Sequence, residues 1–116
     1  MAVRRIVPNL AAADPHAAQQ FYRDFLGLDL VMDHGWILTF SSNTHAKPEL
    51  SIASQGGSGT AVPVISIEVD DIDALHRRAV SLGLSIVYPI TDEPWGVRRF
   101  YVRDPFANVI NILSHI

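Results

Sequence analysis

The C-terminal third of the chain alternates between apolar and polar residues with a period of two. Val97–Arg103 and residues 108–113 both alternate in this way and are rich in β-branched and aromatic residues. Between them lies a short segment that begins Asp104-Pro105, and proline after aspartate suits the second position of a type I turn. The pattern predicts a β-hairpin in which each strand presents two different faces.

Two other segments have the three-to-four residue spacing of amphipathic helices. Asp14-Pro15 and Asp71 each supply an N-cap residue, the first with proline at the first helical position, and Gly27 and Gly83 supply the C-terminal stops. The predicted apolar stripes are Ala18, Phe21, Tyr22 and Phe25 in the first helix, and Ile72, Leu75, Ala79 and Leu82 in the second.

Strands are predicted around these helices over 4–10, 28–32, 36–40, 49–53, 64–69, 85–90, 97–103 and 108–113. Each half therefore reads as a strand, a helix and three strands, and Leu-Gly-Leu recurs at both helix exits. The sequence predicts an α+β fold: two tandem βαβββ modules forming a cupped mixed sheet with helices on its outer face. We expect one domain over residues 1–116, with modules at about 3–54 and 62–115 and a flexible glycine-rich linker at 55–61.

Strand parity predicts which side chains point away from the helices. Ile65, Ile67 and Val69 form an apolar set that should pack on a helix, so Ser66 and Glu68 point to the opposite, concave side. By the same alternation Asn9 and Asn111 face the concavity. A concave face with apolar walls and a few polar groups is typical of a small-molecule site.

Composition narrows the function classes further. Hydrophobic residues make up 48% of the chain and charged residues 18%, which is typical of a globular domain. A net charge of −3 gives no electrostatic footprint for nucleic acid, and no apolar run is long enough to cross a membrane. There is no cysteine, and the N-terminus has no signal-peptide pattern. We expect a soluble cytoplasmic protein without nucleic-acid or membrane partners.

The repeat and two sequence pieces resemble the glyoxalase / bleomycin resistance / extradiol dioxygenase family, also called the vicinal oxygen chelate superfamily. The first piece runs from Asp14 through Phe21-Tyr22 to Leu26-Gly27-Leu28. The second runs from Glu93-Pro94-Trp95-Gly96 through Arg103-Asp104-Pro105 to Asn108, and looks most like the bleomycin-resistance branch. The resemblance implies the two-module cupped fold and a homodimer, commonly one with swapped modules.

Family enzymes usually hold a divalent metal with His, Glu or Gln on particular strands. By resemblance, three of these positions fall on Val7, Val64 and Asn111, and the fourth falls near Glu49 or Ser51. Valine cannot coordinate a metal, and asparagine is a poor substitute for a carboxylate. The five histidines are dispersed without metal-ligand spacing, and we expect each to be solvated or without a special role. The sequence therefore predicts no metal, no other cofactor and no catalytic residue.

Three functions stay open from the sequence. The favoured one is a metal-free small-molecule-binding protein, such as one that sequesters an antibiotic, with an aromatic or cationic ligand. The second is a lyase, isomerase or dioxygenase in which Glu68 acts as a general base. The third is a regulatory or structural module with a filled cup. Arg98 or Arg99 could pair with an acidic ligand, although a paired surface arginine is the commoner arrangement. The predicted ligand-binding residues are Asn9, Trp36, Phe40, Ser66, Glu68, Trp95, Tyr101 and Asn111.

Overall fold

The computed structural model describes all 116 residues. Eight strands are formed by Val3–Ala11 (β1), Asp29–Asp33 (β2), Ile37–Ser41 (β3), Glu49–Ala53 (β4), Ile65–Val69 (β5), Ile86–Glu93 (β6), Val97–Arg103 (β7) and Val109–His115 (β8). One α-helix, Ile72–Ser81 (α1), lies between β5 and β6. Pro15–Ala18 is a 3₁₀ turn and Gln20–Phe25 a π-helical segment. No helix combines the length and the hydropathy that crossing a membrane requires.

The chain divides into two compact units. The C-terminal unit consists of Met1–Ile6 and Pro63–Ile116, and the N-terminal unit is Val7–Val62. Strand order is β5-β8-β7-β6 in the first and β1-β4-β3-β2 in the second. In both units the first strand is parallel to the fourth and the remaining neighbours are antiparallel. The predicted α+β class is confirmed, whereas the module boundaries stay a prediction.

The core of the C-terminal unit lies between α1 and one face of its sheet. Asp71 caps α1 as predicted, its Oδ1 accepting a hydrogen bond from the Ala74 N–H at 3.0 Å. The buried core contains Val69, Ile72, Ala79, Phe100, Ile110 and Ile112, with Ile65 and Ile67 packed against it. Leu82, which we predicted in the helical stripe, is exposed because it lies at the C-cap, beyond the last full turn.

The first predicted α-helix is wrong in type. Asp14 makes no side-chain capping bond, and Pro15 opens a 3₁₀ turn. The next turn closes through the Leu26 N–H and the Phe21 carbonyl at 3.0 Å, which is π-helical spacing. A π-helical turn contains one more residue than an α-helical turn. Apolar residues spaced for an α-helix therefore do not all lie on one face of it. Phe21 and Phe25 are therefore exposed, Phe25 by 73%.

The glycine-rich segment at 55–61 contains a hydrogen-bonded turn. The Gly56 N–H donates to the Thr60 carbonyl at 2.8 Å, and the Thr60 hydroxyl donates to the Gly57 carbonyl at 2.8 Å. Gly56 and Gly57 are buried. The turn gives the segment a defined backbone path between β4 and β5.

The β7–β8 hairpin forms as predicted, and Asp104 organises its turn. Its Oδ1 accepts from the backbone N–H groups of Phe106 and Asn108, and its Oδ2 accepts from the Asn108 Nδ2, each at 2.9 Å. The side-chain hydrogen bond from Asn108, followed by the backbone bonds, lowers the pKa of Asp104. The turn is thus held by hydrogen bonds that favour the ionised form of this carboxyl.

Replacing Asn108 with alanine should raise the pKa of Asp104 towards its ordinary value, because the largest cause of its depression is removed. A depressed carboxyl pKa stabilises the fold above the ordinary carboxyl pKa, and this contribution is lost as the pH falls through the folded-state value. The variant should therefore differ most from the wild type at neutral pH and least in acid. Carboxyl titration by NMR measures the shift. The Asp33 pKa, lowered by the Gly35 N–H and by His16, is the internal control. An unchanged Asp104 pKa would contradict this account of the turn.

Candidate functional site

One face of the C-terminal unit's sheet lies opposite α1, and we call it the helix-free face. Strand register places side chains on it in cross-strand rows. Ser66 lies opposite Asn111 and Asn111 opposite Tyr101, while Glu68 lies opposite Leu113 and Leu113 opposite Arg99. The predicted residues Ser66, Glu68, Tyr101 and Asn111 therefore share this face, as strand parity indicated.

A buried arginine lies at the centre of this face. The Arg99 Nε donates to the Glu93 Oε2 at 2.7 Å, and its second terminal nitrogen is 2.6 Å from the same oxygen. Its other terminal nitrogen donates to the Tyr101 hydroxyl at 2.9 Å. The guanidinium carbon lies 4.9 Å from the centroids of the Trp95 and Tyr101 rings and 5.2 Å from that of Tyr88. We call these five residues the Arg99 cluster.

A short turn between β6 and β7 assembles the cluster. Gly96 has φ +89°, in the left-handed region that favours glycine, and its N–H donates to the Glu93 carbonyl at 3.1 Å. The turn pairs Glu93 with Val97 in the ladder and leaves Trp95 between the strands, half-buried against Arg99. The predicted loop position of Trp95 is thereby explained.

Arg99 corrects one sequence-based expectation. A surface ion pair was the commoner arrangement, but the Arg99 and Glu93 side chains are each only 3% exposed. Arg98 has the surface arrangement instead, pairing with Asp73 at 3.0 Å and Asp92 at 2.9 Å. Hydrogen bonds from Arg98 to Asp92 and then to Asp73 raise the pKa of that arginine. Neighbouring arginines thus have opposite environments because they point to opposite faces of β7.

Asn111 presents a polar atom without a partner. Its Nδ2 donates to the Ser66 hydroxyl at 3.0 Å, which fixes the orientation of the amide. Its Oδ1 is buried and accepts no hydrogen bond, and the whole residue is 7% exposed. Buried polar groups are nearly always hydrogen-bonded in folded proteins. The Asn111 Oδ1 is therefore the acceptor on this face that lacks a hydrogen-bond donor.

Glu68 is already paired on both carboxylate oxygens. Its Oε1 lies 3.1 Å from the Arg5 Nε, and its Oε2 lies 3.0 Å from the His115 Nδ1. His115 lies beside Glu68 because the last strand continues to His115. A carboxylate in an apolar strand needs a partner, and Glu68 has its partners within the C-terminal unit.

The remaining predicted residues belong to the N-terminal unit. Asn9 lies opposite Ser51, whose hydroxyl is hydrogen-bonded to the Thr39 hydroxyl at 2.7 Å. Trp36 is half-buried, with its ring 6.3 Å from that of His34. Phe40 is 0% exposed and packs in the helix-side core against Tyr22. The expectation that Phe40 lines a ligand site is therefore corrected, since β3 points this ring towards the core.

The donor set does not fit the metal that the family's enzymes usually hold. Val7 and Val64 have no ligating side-chain atom, so the neutral Asn111 Oδ1 is the one ligating oxygen at these three positions. Ser51 is hydrogen-bonded to Thr39. No three His, Asp or Glu side chains are grouped closely enough to share a metal ion. The roles of the other seven predicted ligand-binding residues and the absence of a cofactor stay predictions.

Glu93 and Tyr88 are the members of the Arg99 cluster that sequence reasoning missed. Both residues lie on β6 and contact the Arg99 guanidinium, Glu93 through its carboxylate and Tyr88 through its ring. The Tyr88 hydroxyl also lies 3.2 Å from the Glu93 Oε2. The prediction ended β6 at residue 90, but the strand continues to Glu93. Extending the strand to the Pro-Trp-Gly turn would have placed Glu93 across from β7.

The fold agrees with a comparison to known families. A model of the Glyoxalase/Bleomycin resistance protein/Dioxygenase superfamily matches residues 4–112. The chain belongs to this superfamily.

The related sequences cover less of the chain. An uncharacterized protein of Mycobacterium bovis is 40% identical over 50 residues, which cover 43% of this chain and 32% of that protein. Two uncharacterized proteins of Mycobacterium tuberculosis are also 40% identical over 50 residues, covering 29% of their length. The matched segment thus spans about a third of these relatives.

Solved structures match over almost the whole chain. An NAD-dependent benzaldehyde dehydrogenase from Legionella pneumophila has a TM-score of 0.77 at 17% identity, with 97% of this chain and 100% of that chain covered. A glyoxalase/bleomycin resistance protein/dioxygenase superfamily member from Vibrio splendidus has 0.68 at 20%, covering 97% and 99%. Methylmalonyl-CoA epimerase from Mycobacterium tuberculosis has 0.66 at 22%, covering 95% and 86%. At such low identities the likeness concerns the fold alone.

Proposed function

We propose that this chain is a small-molecule-binding protein whose ligand lies on the helix-free face of the C-terminal unit and binds without a metal. The observation that carries the proposal is the buried Asn111 Oδ1 without a hydrogen-bond partner. Leaving such an atom unsatisfied costs about 1–3 kcal/mol. A ligand that donates a hydrogen bond to this oxygen recovers that free energy in the complex.

The Arg99 cluster supports the proposal because it supplies aromatic contact surface beside Asn111. Tyr101 lies opposite Asn111 in the ladder but is itself buried, so the half-buried rings of Trp95 and Tyr88 supply this surface. Aromatic rings bury large areas and stack on planar ligands, and a few fixed polar groups set the orientation. Ser66 supplies one of these, because it holds the Asn111 amide.

Antibiotic sequestration is the narrower form of this proposal. It requires only that the drug binds tightly and that neither the drug nor the protein is chemically changed. Such a function needs no activated nucleophile in the site. A homodimer, module swapping and a cytoplasmic location accompany the proposal as expectations.

The second candidate function is an enzyme that transfers protons. The Glu68–His115 contact at 3.0 Å supports it, because a carboxylate that holds one imidazole nitrogen leaves the other to act as a base. Arg5 and His115 contact both oxygens of Glu68, so the second imidazole nitrogen is the open proton acceptor of this pair. Recovery of the bound ligand separates the two functions: binding returns it unchanged, and catalysis converts it.

The proposal is tested by the fluorescence of Trp95 in a Trp36→Phe variant, in which Trp95 is the only tryptophan. A panel of small aromatic molecules is expected to contain ligands that quench or shift its emission, because the ring lies beside the proposed site. The matched Trp95→Phe variant retains Trp36 alone and should respond less to the same ligands. An emission spectrum of Trp95 that no member of the panel changes would overturn the proposal.

A further inference from the structure

We infer that the ligand is an uncharged planar molecule that carries an N–H or O–H donor, not a cation. This inference rests on the proposed function and specifies its ligand class. It follows from the state of three polar groups on the helix-free face: the Glu68 carboxylate, the Glu93 carboxylate and the Asn111 carbonyl.

The two carboxylates are the groups that would attract a cation, and both already have cationic partners within the unit. Glu93 is 2.6 Å from the Arg99 guanidinium, and the two side chains are buried together. Glu68 contacts Arg5 at 3.1 Å and His115 at 3.0 Å. A ligand cation would have to displace a protein cation or add a buried charge without compensation, which is unfavourable.

The same contacts disfavour an anion. Arg99 is the buried cation of the face, and the Glu93 carboxylate balances its charge. An entering carboxylate or phosphate would compete with Glu93 and leave that carboxylate buried beside a like charge. Charge balance on this face therefore favours a neutral ligand.

The Asn111 carbonyl then specifies the polar group of that ligand. Its amide nitrogen donates to Ser66 at 3.0 Å, so the orientation is fixed with Oδ1 as a buried acceptor. An acceptor is satisfied only by a donor, such as a lactam N–H, an amide N–H or a phenolic O–H. Tyr101, next to Asn111 across the ladder, is 2% exposed and packs against Tyr88 with ring centroids 5.2 Å apart. The half-buried rings of Tyr88 and Trp95 therefore supply the aromatic surface of this face, which favours a planar ring system.

The test compares three probes of similar shape by isothermal titration calorimetry: 2-quinolone, N-methyl-2-quinolone and the N-methylquinolinium cation. The wild-type protein should bind 2-quinolone about tenfold or more tightly than its N-methyl analogue, because methylation removes the donor and leaves Oδ1 unsatisfied. It should bind the cation more weakly still. In an Asn111→Leu variant, the ratio between 2-quinolone and its N-methyl analogue should fall to about one.

The outcomes separate the inference from the function on which it rests. Equal binding of 2-quinolone and its N-methyl analogue by the wild type, or tighter binding of the cation, overturns the inference. This comparison holds even where the Asn111→Leu variant does not fold, since it uses the wild type alone. If the three probes fail to bind while other members of the aromatic panel change Trp95 fluorescence, the inference fails and the proposed function stands. If no member of the panel binds, both fail.

Discussion

Replacing Glu93 with leucine is expected to lower the free energy of unfolding by about 3–5 kcal/mol. The change leaves the Arg99 guanidinium charged and buried without its carboxylate, which contacts it at 2.6–2.7 Å. The Tyr88 hydroxyl also loses its contact with Glu93. Urea unfolding, followed by far-UV circular dichroism, measures the difference.

Two control variants show whether the buried charge is the cause. A double variant with Glu93→Leu and Arg99→Met should recover most of the loss, because apolar residues of similar volume often replace a buried ion pair without penalty. Arg98→Met removes exposed ion pairs on the other face and should cost at most about 1 kcal/mol. A Glu93→Leu variant as stable as Arg98→Met would contradict the buried-pair account.

The Phe40→Ala variant is expected to lose about 3–5 kcal/mol of stability and to keep its ligand affinity under conditions where it is folded. Phe40 is fully buried in the helix-side core of the N-terminal unit, so truncation leaves a cavity. Phe106→Ala is the matched control, because that ring is 83% exposed and its loss should change stability little. Thermal unfolding with and without a panel ligand measures both quantities. A stable Phe40→Ala variant with weakened binding would return Phe40 to the ligand site.

Strand parity could be predicted from the sequence because it depends on local alternation. Ile110 and Ile112 alternate with Asn111 and Leu113, and this assigns the two faces of β8 without knowledge of any partner strand. The same argument placed Ser66 and Glu68 on the helix-free face. Helix caps and glycine stops located α1 with similar success, because they too are local signals.

Contacts that depend on where a strand ends, or that join distant parts of the chain, could not be predicted in this way. The pairing of Arg99 with Glu93 depends on how far β6 extends and on a turn that reverses the chain at Gly96. The pairing of His115 with Glu68 joins residues 47 positions apart. The π-helical segment was not predicted either, because its apolar residues have the spacing of an α-helix. The sequence pattern alone does not distinguish the two helix types.

The superfamily assignment and the chemistry of the site give different information. The family match covers residues 4–112. By resemblance, two of the usual metal-ligand positions fall on valine and a third on asparagine. Membership therefore describes the fold of this chain, and its proposed function depends on Asn111 and the Arg99 cluster.

The most direct test of metal-independent binding is a titration of the Trp36→Phe variant with its best panel ligand, after removal of metals by a chelator. The account predicts the same change in Trp95 emission and the same affinity before and after chelation, and no gain on adding Zn²⁺, Ni²⁺, Mn²⁺ or Fe²⁺. Binding that disappears with the chelator and returns with one of these metals would contradict it.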